Sequence, residues 1–134
     1  QVHISLGRYF YHGILGLSLD KNKRIACAGN SSSGIKETPA FNCPTLNIGS
    51  RQDSRLRGKN VLDSNYDEKM IYEKLKKCLF DDEFRHKCSK AENPYWIGDA
   101  GPKIAEILNK TEINQELIRK KMLLEGKIKD GWFR

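Results

Sequence analysis

The chain has 134 residues, with 24 Lys and Arg against 17 Asp and Glu, a formal charge of +7 and 38% hydrophobic residues. That makes one ordinary domain or a piece of a larger protein, with enough apolar material for a core although the mean hydropathy is −0.65. Few prolines, a mixed apolar pattern and the lack of an apolar run near ~20 residues exclude collagen, long coiled coil, wholesale disorder and a membrane helix.

Leu6, Phe10, Ile14 and Leu17 recur on one face of a helix, despite Gly13 and Gly16. Lys21 to Arg24 is a polar turn. Ile25-Ala26-Cys27-Ala28, ending at Gly29, predicts a short buried strand. Asn30, three serines and Gly34 have the composition of a loop. Ile35 to Phe41 predicts a short helix that Pro39 strains. Pro44 to Gly49 predicts a second strand, the Arg-rich stretch 50–59 a loop, and Asn60-Val61-Leu62 a third strand. Ile71, Leu75, Cys78 and Leu79 then mark a helix from about Asp67. Asp81 to Lys90 predicts a second, whose leading acids suit the helix dipole, and Asn93-Pro94-Tyr95 breaks it. Ile104, Ile107 and Leu108 mark a third. Ile113, Leu117, Met122 and Leu124 mark an amphipathic fourth, ended by Gly126 and Gly131. Strand, helix, strand, strand and then helices is an α/β order with a parallel sheet. Three strands are few for such a sheet, so the chain reads as part of an α/β domain cut at its N-terminal side.

Cys27, Cys43, Cys78 and Cys88 show neither a CxxC pair nor zinc-finger spacing to histidine, and read as reduced thiols of a cytoplasmic protein. A signal peptide over 8–28 is rejected because Asp20, Lys21, Lys23 and Arg24 interrupt it. The glycosylation sequons at Asn30 and Asn109 are chance matches in that compartment. The positive charge favours acidic partners, with Arg51, Arg55, Arg57 and Lys59 clustered against Asp53. A nucleic-acid reading rests on charge alone, because no aromatic residues interleave that cluster.

Residues 25–37 carry the chemistry: strand, serine-glycine loop, helix. In parallel α/β sheets ligands bind beyond the carboxyl ends of the strands, and a helix N-terminus there offers free N–H groups to a phosphate. Ser31, Ser32, Ser33 and Gly34 fit that role; a plain polar turn with a serine cap is the alternative. Glu37 makes no capping box, since Gly34 stands three residues earlier. It suits the helix dipole or would accept from sugar hydroxyls. Arg51, directly after the second strand, is placed to project toward the same crevice as a second phosphate contact. The loop is neither a Walker A motif nor GxGxxG.

GNSSSGIKE, PAFNCPTLNIGSRQDSRLRGKNVLD and NPYWIGDAG, with Ser5-Leu6-Gly7-Arg8, resemble the hydrolysing UDP-N-acetylglucosamine 2-epimerases of sialic and legionaminic acid biosynthesis. The resemblance runs from about Ser5 to Leu108. It implies a GT-B architecture of two Rossmann-like domains, with this chain most of the C-terminal one: a UDP-binding domain over 1–110 and a helical tail over 111–134. It implies that Ser31, Ser32, Ser33 and Gly34 hold the diphosphate, Glu37 the ribose hydroxyls and Arg51 the diphosphate. It also implies elimination of UDP from a UDP-N-acetyl-hexosamine through a 2-acetamidoglucal. Water addition then gives free N-acetylmannosamine or a 2,4-diacetamido-6-deoxy analogue. No metal or other cofactor is implied, no nucleic acid and no membrane, and the family tends to form dimers.

The family's catalytic carboxylates and histidine lie on its N-terminal domain and the early part of the C-terminal one, and nothing here matches them. His3 and His12 fall outside the matched motifs and receive no role. The chain departs from the family in its shortness, its polar stretch Asp20 to Arg24 and its tail from Thr111. A GT-B glycosyltransferase, or a non-catalytic nucleotide-sugar module, are the competing readings.

Overall fold

The structure is a computed structural model that describes residues 2–96 and 98–119, and the backbone of 128, 129, 132 and 133. Two compact units divide it, Gln1–Ile97 and Gly98–Arg134.

The first unit opens with helix α1, Gly7–Gly16, continued by a 3₁₀ turn over Leu17–Leu19. Three strands follow: β1 (Cys27–Gly29), β2 (Thr45–Ile48) and β3 (Val61–Ser64). They form one parallel sheet in the order β1-β2-β3, with Cys27 level with Thr45 and Thr45 level with Val61. This is the expected α/β sheet. Helix α2 (Ser33–Lys36) and a 3₁₀ turn over Thr38–Phe41 join β1 to β2. Helices α3 (Glu68–Phe80) and α4 (Asp82–Cys88) follow β3, each capped by an aspartate: Asp67 accepts from the Met70 N–H and Asp81 from the Phe84 N–H.

The central strand β2 sorts its side chains by alternation. Leu46 turns to one face and joins Cys78, Phe84 and Cys88 in the apolar core, with Leu62, Ile71 and Leu75 packed around them. Thr45 and Asn47 turn to the other face, where the neighbours are polar. Thr45 Oγ1 donates to Thr38 Oγ1 at 2.8 Å, and Thr38 Oγ1 donates to the Gly34 carbonyl at 2.7 Å. Asn60 Nδ2 donates to Thr38 Oγ1 at 3.0 Å and to the Cys43 carbonyl at 2.8 Å. Thr38, Thr45 and Asn60 are buried, and bonds to one another and to backbone carbonyls offset most of their cost of leaving water, although Asn60 Oδ1 has no partner among the described residues.

Two expectations change. The single helix over Ile35 to Phe41 divides into one α-turn and one 3₁₀ turn. Pro39 has no N–H to continue the helical ladder, and the Thr38 hydroxyl takes the Gly34 carbonyl instead. The apolar stripe of α1 forms on a helix, yet Phe10, Ile14 and Leu17 are exposed. The buried side of that segment carries Leu15 and Ser18, with Tyr11 and His12 half-buried beside them.

In the second unit α5 spans Ala100–Lys110, with Ile104, Ile107 and Leu108 exposed, and α6 spans Gln115–Ile118. Of the expected amphipathic tail helix the described residues include α6; its Met122 and Leu124, and the Gly126 and Gly131 expected to end it, lie outside them. Strands β4 (Ile128–Lys129) and β5 (Trp132–Phe133) pair antiparallel. Among the described residues no helix is long and apolar enough to cross a membrane.

Candidate functional site

The serine loop leaves the carboxyl end of β1 and turns at once into α2. Gly34 is closely packed there: a Cβ would lie 3.2 Å from the Thr45 methyl, tighter than an ordinary contact, and 3.8 Å from the Cys27 sulfur. The buried Thr38–Thr45–Asn60 chain fixes the Gly34 carbonyl from below. Loop and sheet are thus locked at this point, which gives the serines a rigid base.

Ser33 Oγ donates to the Tyr11 hydroxyl at 2.8 Å, and the Ser33 N–H donates to Ser31 Oγ at 3.3 Å. Ser32 holds the N-cap position of α2 in helical backbone, without a side-chain cap bond among the described residues. Among those residues, the N–H groups of Ser31 and Ser32 donate to no protein acceptor, so both are available to a ligand. The four-residue α2 is short, so these local N–H groups matter more than a macrodipole.

Glu37 ends α2. His12 Nε2 lies 2.5 Å from Glu37 Oε2. A carboxylate only accepts, so Nε2 donates. The bond from His12 holds the Glu37 carboxyl below its ordinary range, and Ser33 and Arg8 act in the same direction against the effect of burial. Burial pushes the Tyr11 phenol up to about 12, so at neutral pH it stays protonated beside Ser33. Burial also raises the Cys27 thiol, 3.8 Å from the Tyr11 hydroxyl.

Of these groups Tyr11, Ser33 and Glu37 line one open groove of about 790 Å³, with Ser5, Gly7, Arg8 and Lys36 among its other residues. Its floor is the loop-to-α2 turn and its wall is the start of α1. Ser31 and Gly34 instead line a small cavity of about 30 Å³ with Asn47. Arg51 is exposed, lines neither cavity and has no polar contact among the described residues. Its backbone is nonetheless tied to the site, because Gln52 Nε2 donates to the Asn30 carbonyl at 2.7 Å. The turn that carries it depends on Gly49, at φ +77, where a Cβ would strike the Tyr66 ring at under 3 Å. Among the described residues no His, Cys, Asp and Glu gather as a metal site.

The sequence singles out the serines and Glu37 but gives no role to Tyr11 and His12, which the structure places against Ser33 and Glu37. The visible stripe of α1 was apolar and faced solvent. The informative one ran Tyr11, Leu15, Ser18, a four-three spacing of mixed polarity.

The family model described as UDP-N-acetylglucosamine 2-epimerase matches residues 17–109, which include β1, the serine loop, the sheet and most of α5. The chain belongs to the UDP-N-acetylglucosamine 2-epimerase family. It is 51% identical over 51 residues to a GDP/UDP-N,N′-diacetylbacillosamine 2-epimerase (hydrolyzing) of Campylobacter jejuni, covering 37% of this chain and 13% of that protein. It is 30% identical over 87 residues to a UDP-N-acetylglucosamine 2-epimerase of Neisseria meningitidis, covering 63% of this chain and 22% of that protein. It is 32% identical over 93 residues to the polysialic acid biosynthesis protein P7 of Escherichia coli, covering 69% of this chain and 22% of that protein. The chain therefore spans less than a quarter of the length of these curated relatives.

Proposed function

We propose that the chain supplies the UDP-binding part of a hydrolysing UDP-N-acetylglucosamine 2-epimerase. One observation carries this reading: Ser33, Glu37 and Arg8 face a single groove at the carboxyl end of a parallel sheet, beside the unspent N–H groups of Ser31 and Ser32. Diphosphate oxygens would accept from the Ser31 and Ser32 amides and the serine hydroxyls, with Gly34 allowing the close approach. The Glu37 carboxylate, ionised at neutral pH, would accept from the ribose hydroxyls. Arg51, exposed on the loop anchored by Gln52, would donate to the diphosphate.

The reaction proposed for the whole protein is elimination of UDP from a UDP-N-acetyl-hexosamine, then addition of water. The products are UDP and free N-acetylmannosamine or its 2,4-diacetamido-6-deoxy analogue. No residue of this chain is assigned the proton transfers. Family membership favours this over transfer of the sugar to an acceptor by a GT-B glycosyltransferase. The reading places the enzyme in the cytoplasm, in line with its four free cysteines. Calorimetric titration with UDP tests it. The chain binds, and Arg51→Ala weakens binding by about tenfold, as for loss of a charged hydrogen bond. A folded chain that takes up no UDP at millimolar concentration contradicts the reading.

A further inference from the structure

Glu37 stands at the end of a single helical turn with 42% of its side chain exposed. A glutamate so placed samples several rotamers unless a neighbour fixes it. His12 is that neighbour, at 2.5 Å. The imidazole is itself held: its side chain is 26% exposed, its ring packs 5.3 Å from Phe41, and it rides on a ten-residue helix. The contact occupies one of about four lone-pair positions on the carboxylate, leaving the others for a ligand in the groove.

We propose that His12 is a positioning residue for the nucleotide. It fixes the Glu37 carboxylate in the orientation that accepts the ribose hydroxyls, so the His12–Glu37 pair sets the preference for a ribonucleotide over an analogue without those hydroxyls. The inference rests on the reading of Glu37 as the ribose acceptor. A purely structural tie is the lesser explanation, because α1 is already fastened without His12. Leu15 is buried, Ser18 Oγ lies 2.7 Å from the Phe41 carbonyl, and Tyr11 accepts from Ser33. Arg8, Lys36 and His3 also line the groove, and none of them makes a hydrogen bond or ion pair to Glu37 among the described residues.

The test is titration of the chain with UDP and with 2′,3′-dideoxy-UDP. Wild type prefers UDP by about tenfold, the value of a charge-assisted hydrogen bond. His12→Leu weakens UDP by about five- to tenfold and leaves the dideoxy analogue within about twofold, so the preference collapses. His12→Gln, whose amide N–H reaches the carboxylate, restores most of it. His12→Asn, polar but one methylene shorter, behaves as His12→Leu and replaces it should the leucine variant fail to fold. Variants that keep the wild-type preference overturn the proposal while leaving Glu37 as the ribose acceptor. Equal loss of both ligands also overturns it and assigns His12 to the fold. A wild-type chain that binds both equally, or binds neither, instead removes the reading of Glu37 on which the proposal stands.

Discussion

Two part-exposed carboxylates sit at the carboxyl end of the same sheet and differ in the partners that hold them. Asp63, in β3, accepts on Oδ1 from Asn47 Nδ2 at 2.7 Å and from Arg57 Nε at 2.9 Å, and its Oδ2 lies 2.7 Å from the same Arg57 nitrogen in an ion pair. Its own carbonyl accepts from Lys74. Glu37 has one close partner, His12, and an open groove before it. The donors on Asp63 come from β2 and from the 50–59 loop, so that carboxylate ties neighbouring segments together as a brace. Glu37 takes one donor from α1 and keeps acceptor capacity toward the groove, which is what the proposed reading requires of it. The difference also explains part of the basic cluster: Arg57 holds the 50–59 loop to β3 and donates to the Arg55 carbonyl, so it is not free for a nucleic acid.

The comparison breaks first at the brace. Asp63→Ala leaves the buried Asn47 amide without its partner and removes one of the Arg57 partners, and should cost about 2 kcal/mol in urea unfolding, mostly from the Asn47 amide, while UDP affinity stays within about twofold. A loss of stability under about 0.5 kcal/mol would show that Asp63 is no brace. Glu37→Ala should do the reverse: UDP binding weaker by about tenfold in calorimetry, and stability changed by no more than about 0.5 kcal/mol.

Tyr11→Phe removes the acceptor of the Ser33 hydroxyl. It should lower stability by about 1 kcal/mol, visible as a drop in Tm, with a smaller effect on UDP than Glu37→Ala. The smallest effect is on pH. The Glu37 carboxyl lies below its ordinary value of 4.5, first through the bond from His12. Its contribution is therefore fully present above that pH and fades as pH falls through the lower folded value. Urea midpoints between about pH 3 and 6 should decline less steeply in His12→Leu than in wild type, by an amount that solvent screening keeps small.

Much of the fold was legible because short apolar runs and loop residues alternate clearly. Cys27, Leu46 and Leu62 announce three strands, and Asp67 and Asp81 announce the two helix starts that they do cap. The α1 burial was not legible. Phe10, Ile14 and Leu17 give the stronger periodicity, while the packed side mixes Tyr11, Leu15 and Ser18. The break at Pro39 was half legible: strain was readable, but the takeover of the Gly34 carbonyl by Thr38 is a tertiary event. At the site, serine and glutamate types in a strand–loop–helix context point to anion and hydroxyl recognition. His12 is 25 residues from Glu37, and no local pattern pairs them.

The most direct measurement is an amide NMR titration of the chain with UDP. The account predicts shifts at Gly7, Tyr11, Ser31 to Gly34 and Glu37, with the Asn47 side-chain amide and Arg57 unmoved at the Asp63 brace. Shifts that gather instead around Lys21, Arg24 and His86, at the cavity near the amino ends of the strands, would contradict it, as would a folded chain with no shifts at all.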